Sequence, residues 1–171
     1  MKKISRLMMA ATLMLGMVSM VSCGKDDEKS KEDTYTESAS YEVMFGGNKL
    51  AAGQVVEHNV SLVERENDDA EVDFIVVNKT DGSLSTVHRV ELSEGPSSMN
   101  KVPVCYGQCN EVDCPYTSDP YVIEHGPDPL PLQIHLYPSQ HSSANTGTYK
   151  VTIAESDGMK NPQVFFVKFN W

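Results

Sequence analysis

The feature that most constrains the fold of this chain is the spacing of its apolar residues beyond residue 40. Apolar and polar residues alternate there over short stretches, and turn-forming residues such as Gly46-Gly47-Asn48 separate the stretches. A period of two places alternate side chains on one face of a β-strand. The clearest apolar positions are Tyr41, Val43 and Phe45; Val72, Phe74 and Val76; Val90 and Leu92; Leu132, Ile134 and Leu136; Tyr149, Val151 and Ile153; and Phe165, Val167, Phe169 and Trp171. These stretches predict strands that bury one face.

Shorter and weaker patterns fill the gaps between these strands. Residues 56–62 predict a weaker strand and residues 121–123 a short one, whereas residues 93–119 are predicted to be irregular because Gly and Pro interrupt them. Residues 78–82 predict a turn in which Gly82 supplies a positive φ. No stretch combines a period near 3.6 with helix caps, so no helix is predicted. Seven to nine short strands with frequent turns predict an all-β fold, an antiparallel β-sandwich.

Residues 1–22 predict a signal peptide, which takes no part in the fold. Lys2, Lys3 and Arg6 precede an apolar run from residue 7 to residue 21. This run is shorter than the roughly 20 residues that a membrane-spanning helix needs, but it suits a secretory signal. The sequence Met20-Val21-Ser22-Cys23-Gly24 resembles a lipobox. That resemblance implies that Cys23 is acylated and becomes the N-terminus of a protein anchored in a membrane by its acyl chains.

Residues 23–40 predict a lipidated acidic tether. They are rich in Lys, Asp, Glu, Ser and Thr and contain almost no large apolar residue, a composition typical of disordered segments. Cys23-Gly24-Lys25-Asp26-Asp27-Glu28 resembles the acidic export signal of Bacteroides-group lipoproteins. This resemblance implies an outer-membrane location with the protein facing the cell exterior.

The charge of the mature chain restricts its partners. Without Lys2, Lys3 and Arg6, 11 basic residues face 24 acidic ones, a formal net charge of −13. A surface this acidic repels nucleic acid and anionic head groups. The expected partners are therefore the membrane, through the lipid anchor, and a protein or glycan ligand. Residues 41–171 have the size of one domain.

Residues 145–151 have the pattern of a tyrosine corner. In that arrangement the hydroxyl of Tyr149 would bond to backbone near the corner, two residues before the inward-facing Val151. Three motifs of the chain resemble those of Bacteroides-type surface proteins with an immunoglobulin-like domain: Phe74-Ile75-Val76-Val77-Asn78, Cys105-Tyr106-Gly107-Gln108-Cys109, and Thr146-Gly147-Thr148-Tyr149-Lys150-Val151. The resemblance extends over roughly residues 55–171. It implies an immunoglobulin-like sandwich, and it implies no activity.

Three cysteines lie within ten residues of one another in the segment predicted to be irregular. The resemblance implies a structural disulfide between Cys105 and Cys109, and Cys109 with Cys114 is the competing pair. A thiol-disulfide redox site is less favoured, because the C-x₃-C spacing differs from the C-x-x-C motif at a helix start that activates a thiol. A zinc site formed with His125 or His135 lacks a second ligand pair.

No other pattern predicts a catalytic or metal site, and no cofactor is predicted. The five histidines lack metalloprotease spacing, and His88 and His135 are interpreted as strand residues at the surface or the core edge. Asp68, Asp69, Glu71 and Asp73 are interpreted as a solvated turn, because the glycine that an EF-hand loop requires is missing.

The sequence predicts a non-enzymatic, surface-exposed lipoprotein that acts as an interaction or structural module. Tyr106, Tyr116, Tyr121 and Tyr137 lie in or near the cysteine segment and could form a stacking surface. They support one alternative function, a carbohydrate-binding accessory lipoprotein. The other alternative is a thiol-disulfide redox protein that uses the cysteines.

Overall fold

The computed structural model describes residues 34–126, 128–141 and 145–171, and the predicted signal peptide and lipidation site Cys23 lie outside these residues. The strands, in chain order, are β1 (Tyr41–Phe45), β2 (Asn48–Lys49), β3 (Val55–Asn59), β4 (Ala70–Asn78), β5 (Leu84–Glu94), β6 (Lys101–Tyr106), β7 (Gln108–Asp113), β8 (Tyr116–Thr117), β9 (Tyr121–Ile123), β10 (Leu130–Leu136), β11 (Thr146–Glu155) and β12 (Lys160–Asn170). One α-helix, α1 (Leu62–Asn67), and two 3₁₀ helices, Ser97–Asn100 and Pro138–His141, complete the described elements.

The strands form two sheets, as the predicted all-β sandwich requires. Sheet A has the order β2-β1-β4-β10-β6-β7, and sheet B has the order β3-β12-β11-β5-β8 with β9 also paired to β5. All pairs are antiparallel except that between β3 and β12, which is parallel. The predicted antiparallel sandwich is confirmed, and one edge pair departs from it, because β3 runs in the direction of the last strand.

The predicted alternation places the core between the sheets. The inward-facing residues of β4, β10, β11 and β12 are almost completely buried. Phe74 of sheet A packs against Phe165 of sheet B with their ring centroids 4.8 Å apart. Since strand side chains alternate between faces, the same pattern leaves Ile75 on the outside of sheet A, where it is 42% exposed.

Tyr41 links the two sheets through its hydroxyl group. The hydroxyl oxygen lies 2.5 Å from the main-chain oxygen of Ile153 and 2.9 Å from that of Asn161. It also accepts a hydrogen bond from the main-chain N–H of Gln163 at 3.1 Å. Burial raises the pKa of Tyr41, so this phenol stays neutral and able to donate.

The structure corrects the prediction for residues 93–119, which are largely ordered strand. β6 and β7 form a hairpin, and β8 follows it, so the described chain has twelve strands instead of the seven to nine predicted. Pro103 does not break β6: it stands opposite Glu111 in the ladder with β7, and it lies outside the residues 104–106 that pair with β10. A proline is tolerated in a strand at such a position.

A short helix replaces part of the weak strand predicted at residues 56–62. Ser61 accepts a hydrogen bond from the main-chain N–H of Glu64, and the Glu64 carboxylate accepts one from the main-chain N–H of Ser61. This capping box starts α1 and stops β3 at Asn59. The S-x-x-E spacing was present in the sequence and was the signal missed.

The folded domain begins before Tyr41, the boundary predicted from the sequence. Ser38 is buried, and the ring of Tyr35 packs edge-on against Phe166 with centroids 5.7 Å apart. Gly53 provides the space, because a Cβ atom there would lie 2.6 Å from the ring of Tyr35. Residues 34–40 therefore pack on sheet B, although the prediction assigned them to the tether.

Two local predictions change in detail. The ring of Tyr149 lies in the core, but its hydroxyl donates to the main-chain oxygen of Met99 at 3.0 Å, and Met99 is 50 residues away along the chain. The predicted tyrosine-corner bond is therefore replaced by this bond to Met99.

In the turn after β4, Gly82 does not have a positive φ. The Asn78 side chain closes this turn by accepting from the N–H of Thr80 and donating to the carbonyl oxygen of Gly82.

Candidate functional site

The three tyrosines predicted to form a binding loop line one pocket of about 330 Å³. β5, β8 and β9 of sheet B form one side of it, and β6 and β7 of sheet A form the other. The pocket therefore lies where the edges of the two sheets meet. Its lining residues are His88, Val104, Tyr106, Gln108, Asn110, Tyr116, Ser118, Asp119, Pro120 and Tyr121.

Tyr106 forms the floor of this pocket. It is 4% exposed because it continues the inward-facing positions of β6. Its hydroxyl shares a hydrogen bond of 2.6 Å with Thr86 Oγ1, and burial raises its pKa to about 12. Tyr106 therefore lines the pocket as an almost completely buried ring, and Tyr121 is the more exposed of the tyrosines that were predicted as a possible stacking surface.

His88 lies beside Tyr106 and is the polar group that the sequence interpretation underrated. Its ring is 4.9 Å from the Tyr106 ring in a T-shaped arrangement and 5.7 Å from the Tyr116 ring. The residue is 4% exposed, and neither ring nitrogen has a hydrogen-bond partner among the described residues. Burial lowers the pKa of His88 to about 4, so the imidazole is neutral at pH 7.

Two tyrosines and four polar residues surround the mouth of the pocket. Tyr116 is half-buried, whereas Tyr121 is 37% exposed and its ring centroid lies 5.9 Å from that of Tyr106. The polar lining residues are Gln108, Asn110, Ser118 and Asp119. Ser118 is held in place because its Oγ accepts from the His88 main-chain N–H and its own N–H donates to the His88 carbonyl oxygen. The mouth therefore combines an aromatic face with several hydrogen-bonding groups.

Gly107, at the tip of the β6–β7 hairpin, permits Tyr121 to cover the pocket. Its φ is +73°, and a Cβ atom there would lie 2.0 Å from the Tyr121 ring. Only glycine satisfies both the backbone conformation and the close approach. The disulfide between Cys105 and Cys109 closes the same hairpin, so the turn that faces Tyr121 is covalently tied at its base.

Replacing Gly107 with Ala is expected to lower the free energy of unfolding by about 1–3 kcal/mol, because it adds backbone strain and displaces Tyr121. Urea denaturation measures the change. Gly82→Ala is the matched control, since a Cβ atom at Gly82 meets nothing within 4 Å and its φ is not positive. Equal stability of the two variants would show that Tyr121 does not rest on this turn.

The cysteines form the pair that the family resemblance implied. Cys105 and Cys109 are disulfide-bonded, and Cys114 is a free thiol. The competing pair of Cys109 with Cys114 does not form. Burial raises the pKa of Cys114 to about 11, which suppresses the thiolate that redox chemistry needs. The disulfide lies in a β-hairpin and not at a helix start, so the structure gives the redox alternative no support.

The zinc and catalytic arrangements considered from the sequence are not assembled. Cys105 cannot act as a thiolate ligand within a disulfide, and His125 donates to the carbonyl oxygen of Thr80. Ser98 Oγ lies 3.3 Å from His141 Nδ1, but His141 is 2% exposed. The Asp68 carboxylate accepts from Ser139 and makes no hydrogen bond to His141 in the described part of the chain. This contact therefore lacks the third member of a triad.

Tyr137, the fourth tyrosine considered, lines a different cleft of about 260 Å³. Asp69, Pro103, Cys105, Cys109, Asn110, Glu111 and His135 form the rest of this cleft. It lies on the outer face of sheet A, beside the disulfide. The cysteine segment therefore contributes to two concave surfaces, which have Asn110 in common.

The chain is similar to several solved structures of low sequence identity. The N-terminal domain of PorA is 15% identical and has a TM-score of 0.57, and the alignment covers 76% of this chain and 96% of that one. A FixG-related protein from Vibrio parahaemolyticus is 14% identical with a TM-score of 0.41, covering 79% and 97%. The CooA pilin subunit from enterotoxigenic Escherichia coli is 12% identical with a TM-score of 0.40, covering 77% and 97%.

The domain is an immunoglobulin-like β-sandwich. The similarity to the N-terminal domain of PorA supports the fold, and at 15% identity it carries no activity. No protein-family model matches the chain, and no curated protein is significantly similar to it in sequence. Among the residues that the structure describes, no helix is both long and apolar enough to cross a membrane.

Proposed function

We propose that this protein is a lipid-anchored, cell-surface interaction module without enzymatic activity, and that it binds its ligand in the pocket between β5, β6 and β8. One observation carries the proposal: His88 lines this pocket, is almost completely buried, and has two ring nitrogens without hydrogen-bond partners in the part of the chain that the structure describes. Burying a polar group without a hydrogen bond costs about 1–3 kcal/mol. A rearrangement of the pocket around a ligand would give these nitrogens the partners they lack.

The chemistry of the pocket favours binding over catalysis. His88 is neutral at pH 7 and contacts aromatic rings, and no described nucleophile is hydrogen-bonded to it. The rigid sandwich instead supports an aromatic cleft with amide, hydroxyl and carboxylate groups around it. Such a combination of apolar walls and a few polar groups is typical of small-molecule sites.

A carbohydrate is the ligand class that these groups favour. A sugar ring offers an apolar face, which Tyr121 could cover, and hydroxyl groups, which Asn110 and Asp119 could bind. The volume of about 330 Å³ is at the lower end of ligand pockets and suits a single sugar unit at the end of a glycan. The carboxylate of Asp119 in the lining disfavours negatively charged sugars.

Titration of neutral oligosaccharides against the purified protein tests this proposal. Tyr121→Ala is expected to weaken binding about tenfold, because a stacked aromatic ring contributes on the order of 1 kcal/mol. Tyr137→Ala is the matched control, since Tyr137 lines the other cleft. Equal affinities for the parent protein and Tyr121→Ala would remove the pocket as the carbohydrate site.

The anchor and the exposure are tested separately. Substitution of Cys23 by Ser is expected to abolish incorporation of a labelled fatty acid and to release the protein from the membrane fraction. A membrane-impermeant amine reagent is expected to label the parent protein on intact cells. Labelling only after cell lysis would contradict the outward orientation while leaving the pocket proposal intact.

A further inference from the structure

Strand pairing in sheet A gathers three metal-ligating side chains beside the disulfide. Glu71 of β4 lies opposite His135 of β10, and Asp69 immediately precedes β4. His135 Nδ1 lies 2.9 Å from Asp69 Oδ1 and 4.0 Å from Glu71 Oε2. One donor atom from each of the three side chains falls within 4.8 Å of the others. Zinc bound at about 2.0–2.2 Å requires donor atoms roughly 3–3.5 Å apart, so small rotations would complete the set.

The neighbouring residues orient two of these three donors. Gln133 donates hydrogen bonds to both Glu71 and Asp73, which holds the Glu71 carboxylate on the outer face of the sheet. Metal binding at His135 Nδ1 would displace the proton that Nδ1 donates to Asp69, while Nε2, 3.7 Å from Cys105 Sγ, can carry the proton of the metal-bound ring. Partners of this kind around the ligands fix the tautomer and the direction of the metal-binding atoms.

The charge at this place is not balanced by basic side chains. Within residues 34–126, 128–141 and 145–171, the ion pairs of Asp69 and Glu71 are with His135, and no lysine or arginine pairs with either. Asp73 adds a third carboxylate through Gln133. The carboxylates of Asp69, Glu71 and Asp73 therefore form a negative surface around His135 that a cation would complement.

We propose that Asp69, Glu71 and His135 bind a first-row divalent transition metal ion of the zinc class. The imidazole donor favours zinc and its neighbours over calcium and magnesium, which prefer oxygen ligands alone. Three protein ligands leave at least one coordination position open. Asp69 and His135 line the 260 Å³ cleft, so this position faces a space that a carboxylate or imidazole of a partner can enter. This site is separate from the aromatic pocket and independent of the function proposed there.

Calorimetric titration of the chelator-treated protein with zinc chloride tests the site, and cobalt chloride gives a second readout through its visible absorption. One equivalent of each ion is expected to bind. His135→Ala and Asp69→Asn are each expected to weaken zinc binding at least tenfold. Excess magnesium is expected to leave zinc binding unchanged. Circular dichroism checks that each variant is folded, and Asp69→Asn carries the test if His135→Ala is not.

His58→Ala is the matched control. His58 Nε2 also contacts a carboxylate, 2.6 Å from Glu64 Oε1, but this pair has no third donor within reach among the described residues. The control is expected to bind zinc as tightly as the parent protein. Absence of zinc and cobalt binding at millimolar concentration would overturn the proposal. So would unchanged affinity in Asp69→Asn, or an equal loss of affinity in His58→Ala.

Discussion

Replacing Phe74 with Ala is expected to lower the free energy of unfolding by about 3–5 kcal/mol. Phe74 is 1% exposed and lies at the centre of the contact between the two sheets. Its ring packs against Phe165 of the opposite sheet and against Phe45, with centroid distances of 4.8 Å and 5.5 Å. Removing the ring reduces the buried apolar surface and leaves a cavity. The neighbouring rings can fill this cavity only in part, because the strands that carry them are held in place by the sheets.

Urea denaturation at neutral pH measures this effect, and Ile75→Ala is the matched control. Ile75 is the next residue in β4 but lies on the outer face, so its truncation is expected to cost less than about 1 kcal/mol. The two substitutions are at neighbouring positions of β4, but one removes an inward-facing side chain and the other an outward-facing one. Similar losses in the two variants would contradict the inward orientation of Phe74.

Folding stability is expected to fall by about 3 kcal/mol as the pH is lowered from 6.5 to 4, through the titration of His88. Its pKa is about 4 in the folded protein, below its ordinary value of 6.5, because burial disfavours the charged ring. In this window the unfolded chain binds the proton and the folded one does not. The stabilisation is therefore complete above pH 6.5 and lost as the pH approaches 4. Burial also lowers the pKa of His141, which adds to the loss in the same direction.

Denaturation at several pH values between 4 and 7.5 tests this prediction against His88→Gln. Glutamine keeps a polar side chain of similar size but does not titrate, so the variant is expected to show a smaller loss of stability. Comparing the two proteins at each pH also separates His88 from carboxylates with lowered pKa values, such as Glu91 and Glu155, which are common to both. The same pH dependence in both proteins would show that His88 is not buried in its neutral form.

The alternation of apolar residues predicted most of the sandwich, because every second residue of a strand faces the same side of the sheet. This pattern located β1, β4, β10, β11 and β12 and the residues that they bury. It failed where pairing between strands overrides local signals. Pro103 and Gly107 indicate a break in the chain, yet β6 pairs with β10 on one side and with β7 on the other.

The candidate pocket was only partly predictable. One prediction covered Tyr106, Tyr116 and Tyr121, because they are close in sequence. Their side chains differ in exposure, since each residue lies in a different strand. His88 alternates with Thr86 and Val90 along β5, so it lies on the same inward face as they do. This spacing indicated a buried position for His88, whereas the sequence interpretation placed it at the surface or the core edge. The proposed metal site was not foreseeable from the sequence, because Glu71 and His135 are far apart in the chain and meet only through the register of β4 and β10.

The hydroxyl of Tyr41 bonds the first strand to sheet B in addition to sheet A. β1 joins sheet A through β4, while this hydroxyl contacts main-chain groups of β11 and β12 in sheet B. Detachment of β1 would therefore break hydrogen bonds in both sheets. We expect such a strand to detach only when the core unfolds. With the proposed lipid anchor, a pull on the N-terminal side of β1 would be resisted by hydrogen bonds in both sheets instead of in one.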